Sequence, residues 1–398
     1  MKILVASHTY IVDLNCEKLR VLAHLEPDIE VTVIVPKRWR PGGVQNKLIE
    51  TKAWSDGSFR VVPISNFSQN NQGLLTFGSD LIALLQQFKP QIIQVEQGSK
   101  SFAYAEFITL NHLLRLKAKN IFFTWWNLPY QSKFPVSVLE NYNLSNTDGL
   151  IAGNQDAADI LRDRGYQKAV TVMPQLGVDE QLFSPRQQTE LATQLGIKFD
   201  EFVIGFVGRF VSEKGILTLI KALNGLKKLN WKLLLLGRGT LKETILEEAN
   251  KAGIQDRLIL IESVPHDEVA RYINLMNVLV LPSETTYQFK TLTAAGWKEQ
   301  FGHVLIEAMA CQVPVIGSDS GEIPNVIDNA GLVFGEGNAD ALQKCLQQLI
   351  EKPEFARQLG QKGYERVIEK YTNKALAKQQ LSFYKELLSS NSLLKNLT

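Results

Sequence analysis

Cysteine is scarce. Cys16, Cys311 and Cys345 are the whole complement, scattered without the paired spacing of a zinc site or the density of a disulfide scaffold. That usage fits a reducing compartment. Long apolar runs are missing too: none approaches the roughly 18 residues a membrane-spanning helix needs. The opening MKILVASH lacks the apolar region and cleavage site of a signal peptide, and reads as a strand instead. A cytoplasmic protein is the expectation. Neither charge sign dominates, since 43 Lys and Arg against 41 Asp and Glu leave a net charge of +2. Composition therefore gives no case for nucleic acid as a partner. The histidines, His8, His24, His112, His266 and His303, form no H-x-x-x-H or H-E-x-x-H spacing, so no metal site is expected from them.

What is present is ordinary soluble-protein composition, 45% hydrophobic and 21% charged, over 398 residues. That length exceeds one ordinary core and implies two domains. Short apolar runs alternate with longer amphipathic segments, the pattern of parallel sheets covered by helices. The first series of strands is expected at Lys2–Ser7, Val31–Val35, Arg60–Ile64, Ile92–Val95, Asn120–Thr124, Gly149–Ala152 and Ala169–Val172. The second is expected at Phe202–Phe206, Lys232–Leu236, Leu258–Ile261, Val278–Leu281, Val313–Ile316 and Gly331–Phe334. Between them the polar, Gln-rich stretch Arg186 to Gln194 reads as an interdomain linker. The expected fold is α/β, with two tandem Rossmann-like doubly wound domains, 1–185 and 186–371, and a cleft between them at the strand ends. The segment Thr372 to Leu388 reads as a helix with Leu376, Leu381, Tyr384 and Leu388 buried, and the tail after it as frayed.

The chemistry concentrates in the second half. In WKEQFGHVLIEAMACQVPVIGSDSGE, Trp297 to Glu322, Leu305, Ala308 and Met309 with Val304 give a helical apolar face feeding a short apolar strand. Gly302 stands just ahead of the helix. The first-turn N–H groups around Phe301, Gly302, His303 and Val304 lack intrahelical acceptors and suit a phosphate. Glu299 lies before the helix and Glu307 a turn inside it. Carboxylates accept from sugar hydroxyls and amides donate to phosphate, so the pattern suits a ligand with phosphate in its middle and hydroxyls at both ends. A solvated amphipathic helix is the plain alternative for an isolated pair of glutamates. Upstream, a strand runs into Gly208-Arg209-Phe210-Val211-Ser212-Glu213-Lys214-Gly215, bringing two cations to the carboxyl edge of a sheet, where open α/β sheets bind ligands. A further strand ends in Gly237-Arg238-Gly239, which lacks the third glycine of a dinucleotide fingerprint.

These segments together resemble glycosyltransferase family 4, retaining enzymes of the GT-B fold that use nucleotide-sugar donors. Glu299 to Glu307 matches the family's E-x7-E, residues 208–215 its G-R-x-x-x-x-K-G, and Gly237 to Gly239 its G-x-G loop. The resemblance is strong from about residue 150 to 335 and weak before. It implies that Arg209 and Lys214 hold the donor diphosphate, that Glu299 contacts the donor sugar and that Glu307 contacts the ribose. It also implies that the C-terminal helix returns to pack on the first domain. No two aspartates stand two apart, so no D-x-D pair holds a metal, and a reaction without metal or other cofactor is the coherent expectation.

In the first domain the family's P-x-x-G-G loop is replaced by Ser7-His8-Thr9-Tyr10-Ile11-Val12-Asp13. Thr9, Tyr10, Trp126 and Asn127 are the candidates on the acceptor or sugar side. Tyr287 and Phe289, ahead of the E-x7-E segment, read as packing residues rather than ligand contacts. The expected activity is sugar transfer from a UDP- or GDP-sugar to a hydroxyl acceptor, such as a glycan, a lipid-linked sugar or a polysaccharide intermediate. A silent nucleotide-sugar-binding subunit and a nucleotide-sugar epimerase are the alternatives. The basic cluster Lys37-Arg38-Trp39-Arg40 suits peripheral contact with the inner face of a membrane, and a solvated loop explains it equally well.

Overall fold

The structure, a computed structural model, describes residues 1–41, 47–290 and 295–395. It divides into two units, Met1–Gly177 with Asn373–Thr398, and Val178–Thr372. In the first, the described strands are β1 (Lys2–Ala6), β2 (Glu30–Pro36), β3 (Arg38–Trp39), β4 (Ile49–Glu50), β5 (Trp54–Asp56), β6 (Phe59–Ile64), β7 (Ile92–Val95), β8 (Lys119–Thr124), β9 (Gly149–Ala152) and β10 (Ala169–Val172). Eight of them form one sheet in the order β10-β9-β8-β7-β1-β2-β6-β5, parallel except for the edge strand β5. β3 and β4 form a separate antiparallel pair.

Parallel strands covered on both faces must be apolar throughout, and β1 meets this with Ile3, Leu4, Val5 and Ala6 all fully buried. The order reverses direction between β1 and β7, the point at which an open α/β sheet leaves a crevice beyond its strand ends.

The second unit contains β11 (Phe202–Val207), β12 (Trp231–Leu236), β13 (Leu258–Ile261), β14 (Val278–Leu281), β15 (Thr286–Lys290), β16 (Ala295–Trp297), β17 (Val315–Ser318) and β18 (Leu332–Phe334). Its parallel sheet runs β13-β12-β11-β14-β17-β18, with the reversal between β11 and β14. β15 and β16 form an antiparallel ribbon outside that sheet. The core centres on Phe206, Leu219, Trp231, Leu235 and Val280, with the Trp231 indole N–H donating to the Leu226 carbonyl at 2.8 Å.

Four expectations require correction. Residues Arg186 to Gln194 are not a free linker, because Thr189–Gln194 is helical with Leu191 buried, and the Arg186 N–H donates to Asn274 Oδ1 at 2.8 Å. The chain leaves the first unit at Gly177 instead of near residue 185. The tail does not fray after Leu388, since one helix runs Asn373–Lys395; residues 396–398 lie outside the described residues. The strand expected at Val313–Ile316 sits two residues later, as Val315–Ser318.

That C-terminal helix belongs to the first unit. Leu376, Tyr384 and Leu387 enter its core at helical spacing, whereas Leu388 is only partly buried. Within this apolar contact Tyr384 donates to Gln94 Oε1 on β7 at 2.6 Å, and Gln380 Nε2 donates to the Tyr384 hydroxyl at 2.6 Å. Tyr384→Phe removes the shorter of the two bonds to a fully buried acceptor, leaving Gln380 Nε2 at 3.3 Å. It should cost the first unit about 1–2 kcal/mol in urea unfolding, and a loss within error would show that the helix is held by its apolar face alone.

Candidate functional site

Three loops of the second unit meet at the carboxyl edge beside the β11/β14 reversal. The loop after β11 carries Gly208 to Gly215, the loop after β12 carries Gly237 to Gly239, and the loop after β14 begins Pro282-Ser283-Glu284. Backbone bonds stitch them: Phe210 N–H donates to Arg238 O at 2.9 Å, and Glu284 N–H to Glu213 O at 2.9 Å. At Gly237 an added Cβ would stand 1.8 Å from the Gly208 carbonyl oxygen. Glycine there lets one loop lie on the other, so Gly208, Gly237 and Gly239 shape the floor of the site through their own packing.

Lys214 is the convergence point. Its Nζ lies 2.5 Å from Glu299 Oε2 and 5.0 Å from the centre of the Trp297 ring. The same carboxylate oxygen accepts from Ser283 Oγ at 2.7 Å. Glu299 is buried, and a buried carboxylate requires such partners. Its backbone carbonyl accepts from Glu322 N–H at 3.2 Å, which ties in the turn after β17. Glu322 thus enters the site through its backbone. Arg209 stands apart, with its side chain 56% exposed and one 3.4 Å contact to the buried Glu213. Its guanidinium has room to swing onto an anion, as has that of the exposed Arg238 in the adjoining loop.

The helix spans His303–Ala310 and has no side-chain cap. It begins directly after Gly302, as the sequence implies, so Phe301 and Gly302 precede it. Phe301 is buried against the rings of His303 (4.8 Å) and Tyr371 (5.6 Å). Gly302 caps the helix at φ +84°, and a Cβ there would meet Leu281 Cδ2 at 2.7 Å. The cap offers the first-turn N–H groups no side-chain acceptor, and the macrodipole makes this end favourable to an anion. Glu307 is half-buried and makes no side-chain hydrogen bond among the described residues; burial pushes its carboxyl up to about 7. Among the described residues no group of His, Cys, Asp and Glu side chains gathers as a metal site.

In the first unit the replaced loop folds as two short 3-10 turns, His8–Ile11 and Asp13–Cys16. Tyr10 is completely buried in the core, which corrects its expected acceptor-side contact. Asn127 is also buried, leaving Thr9 and Trp126 as the candidates with accessible surface. Trp126 donates to Leu128 O at 2.6 Å and lies under Lys100 Nζ at 5.1 Å.

The residues that organise this edge went unnoticed in the sequence. Gln175 Nε2 donates to Glu96 Oε2 at 2.7 Å and to Thr9 Oγ1 at 3.1 Å, while its Oε1 accepts from Trp125 Nε1 at 3.1 Å. The available signal was Glu96 itself, a carboxylate directly following an apolar strand at the ligand-facing edge. Ser283, two residues beyond the end of β14, stands at no spacing that links it to Glu299. The two units do not share one set of predicted residues: Arg209, Lys214, Glu299 and the helix start belong to the second, Thr9, Tyr10, Trp126 and Asn127 to the first.

A family model described as "Glycosyl transferases group 1" matches residues 187–366, nearly all of the second unit. These residues are similar to that family. Relatives include N-acetyl-alpha-D-glucosaminyl L-malate synthase of Bacillus anthracis, 29% identical over 53% of this chain and 52% of that protein. Another is the capsular polysaccharide biosynthesis glycosyltransferase CapM of Staphylococcus aureus, 31% identical over 48% of each. The matched part spans about half the length of these curated relatives. Solved structures extend the likeness to the whole chain. Sucrose-phosphate synthase from Thermosynechococcus elongatus has a TM-score of 0.70 at 21% identity, covering 98% of this chain and 100% of that one. HepE from Anabaena, solved with UDP-glucose, scores 0.67 at 15% identity over 98% and 99%. The fold is GT-B.

Within the second unit, Glu307 makes a pH-dependent prediction. A carboxyl raised from 4.5 to about 7 binds more protons folded than unfolded, so its contribution to stability falls as pH rises through that window. Discounted for partial exposure, Glu307→Gln should gain about 1–2 kcal/mol over wild type at about pH 8 compared with about pH 5. An equal difference at both pH values in urea unfolding would contradict the shift.

Proposed function

We propose that the chain is a retaining glycosyltransferase of the family 4 type. It moves a sugar from a UDP- or GDP-sugar to a hydroxyl of a glycan, lipid-linked or polysaccharide acceptor, without a metal. The observation that carries this reading is the gathering of Lys214, Glu299 and Ser283 beside the uncapped start of His303–Ala310, with Arg209 exposed nearby. A uniform anion site would need only the cations and the helix end. The carboxylates on either side of that end, Glu299 and Glu307, add acceptors for hydroxyls at both ends of a diphosphate. The UDP-glucose held by HepE and the polysaccharide role in the name of CapM support the donor and acceptor classes.

In this reading the diphosphate lies against the helix end and is gripped by Arg209. Lys214, fixed by Glu299, meets the charge that grows as the bond from the sugar's anomeric carbon to the phosphate oxygen breaks. The acceptor hydroxyl attacks that carbon on the face the diphosphate is leaving. Its proton passes to the departing phosphate oxygen, so the products are the glycoside and the free nucleoside diphosphate, and configuration is retained. Glu307 takes the ribose hydroxyls. The first unit binds the acceptor, with Thr9 and Trp126 at its ligand edge.

A second reading, a silent nucleotide-sugar-binding subunit, is favoured by one observation, the inward folding of the Ser7–Asp13 loop with Tyr10 buried. Both readings predict that one nucleoside diphosphate raises the melting temperature with EDTA present, by mass action on the native state. They part on turnover. Lys214→Ala and Arg209→Ala should each lower kcat by about 10²-fold or more while the protein stays folded. Full activity in Lys214→Ala would remove that residue from the mechanism, and no transfer or donor cleavage by the wild type with any acceptor class would leave the silent reading. Interconversion of the donor sugar without an acceptor would instead indicate an epimerase.

A further inference from the structure

The basic cluster Lys37-Arg38-Trp39-Arg40 does not stand alone on the surface. Trp39 is buried, its ring 5.0 Å from that of His8, so it cannot anchor anything outside the fold. Lys37, Arg38 and Arg40 are exposed, and Thr51 N–H donates to Lys37 O at 3.0 Å, which brings the exposed Lys52 beside them. Apolar anchors come from neighbouring loops instead. Arg40 N–H donates to Gln69 O at 2.6 Å, and Arg38 N–H to Asn66 Oδ1 at 3.2 Å, so the cations are stitched to the loop between β6 and the next helix. That loop exposes Phe67 (70%) and Leu74 (56%). Gly73 O in turn accepts from Phe102 N–H at 3.3 Å, and Phe102 is 47% exposed.

Backbone bonds thus join three loops into one edge with exposed cations on one side and three large exposed apolar side chains beside them. The loop itself, Ser65 to Phe77, contains no charged residue, so its tip can leave water without desolvating an ion. It is also firmly held: Phe67 N–H bonds Thr76 O at 3.0 Å, Phe77 is buried against Phe107, and Phe77 N–H donates to Glu106 at 2.9 Å. The carboxylates closest in sequence or contact are Glu50, paired with Arg38 at 2.7 Å, Glu106, and Asp80 at the start of the following helix. Cations outnumber them where the edge faces solvent.

We propose that this edge of the first unit docks onto an anionic lipid bilayer. Phe67, Leu74 and Phe102 enter the headgroup boundary, and Lys37, Arg38, Arg40 and Lys52 lie against the lipid phosphates. Charge complementarity favours an anionic surface, and uncharged rigid loops with apolar tips suit a fluid interface better than a single fitted pocket. Among the described residues no helix is long and apolar enough to cross a membrane, so the contact is peripheral. The inference is independent of the transfer reaction and can fail without it.

The test is co-sedimentation of the full chain with vesicles of phosphatidylcholine alone or mixed with phosphatidylglycerol, at low and high salt. Binding should be strong only to the anionic vesicles at low salt. The triple variant Phe67→Ser, Leu74→Ser, Phe102→Ser should bind about tenfold more weakly at unchanged net charge and unchanged melting temperature. Arg38→Gln with Arg40→Gln should weaken binding to a similar degree and flatten its salt dependence. No binding to anionic vesicles overturns the proposal. So does binding that the triple variant keeps in full, which would be adsorption through charge alone. Self-association abolished by the triple variant, without vesicle binding by the wild type, would assign the edge to a second copy of the chain.

Discussion

Glu299 is the residue on which the second unit's ligand edge depends. Its side chain accepts from Lys214 in the loop after β11 and from Ser283 in the loop after β14, and its carbonyl accepts from the turn after β17. Three loops that follow different strands are therefore positioned by one buried residue. The physics makes this stringent, because a carboxylate removed from water without donors is far costlier than a polar group left at the surface. Lys214 is itself only 15% exposed, so each partner makes the other's burial tolerable. Neither can be removed without stranding a charge.

The two units reach a similar topology by different local means. In the second, glycines let the Gly208–Gly215 and Gly237–Gly239 loops lie on each other, and backbone groups line the strand ends. In the first, Gln175 spans the ends of β1, β7 and β8 through Thr9, Glu96 and Trp125, and a tyrosine fills the space beneath. Side chains replace backbone there. An edge built that way fixes particular polar groups in place, whereas a backbone-lined edge suits phosphate, whose oxygens need only donors.

What the sequence disclosed follows the same division. Parallel strands buried on both faces read as unbroken apolar runs, so Gly149–Ala152 and Val278–Leu281 were legible to the residue. The short antiparallel pieces were not. Arg38–Trp39, Ile49–Glu50 and the ribbon strands Thr286–Lys290 and Ala295–Trp297 have too few residues and too mixed a pattern for a period of two to stand out. Tyr287 and Phe289, expected to pack, are exposed by that ribbon at 69% and 48%. The Gln-rich stretch resembled a linker because a short, mostly solvated helix needs only one buried residue, here Leu191. Site chemistry was legible where cations and carboxylates stand at fixed spacing around a helix start. Partners supplied by a distant strand end, Ser283 for Glu299 or Gln175 for Glu96, carry no spacing signal.

The pairing of Lys214 with Glu299 also bears on how the proposed donor would be held. A lysine already neutralised by a carboxylate at 2.5 Å offers an incoming diphosphate little net charge. Attraction in the ground state then falls to Arg209 and the helix end, both open to solvent or uncapped. Lys214 contributes most when the breaking bond places more negative charge on the phosphate than Glu299 can match, which is the condition for stabilising a transition state more than a substrate. The fixed carboxylate therefore does not oppose the reaction. It holds the ammonium group at one position in advance, so that no reorientation is needed when the charge appears.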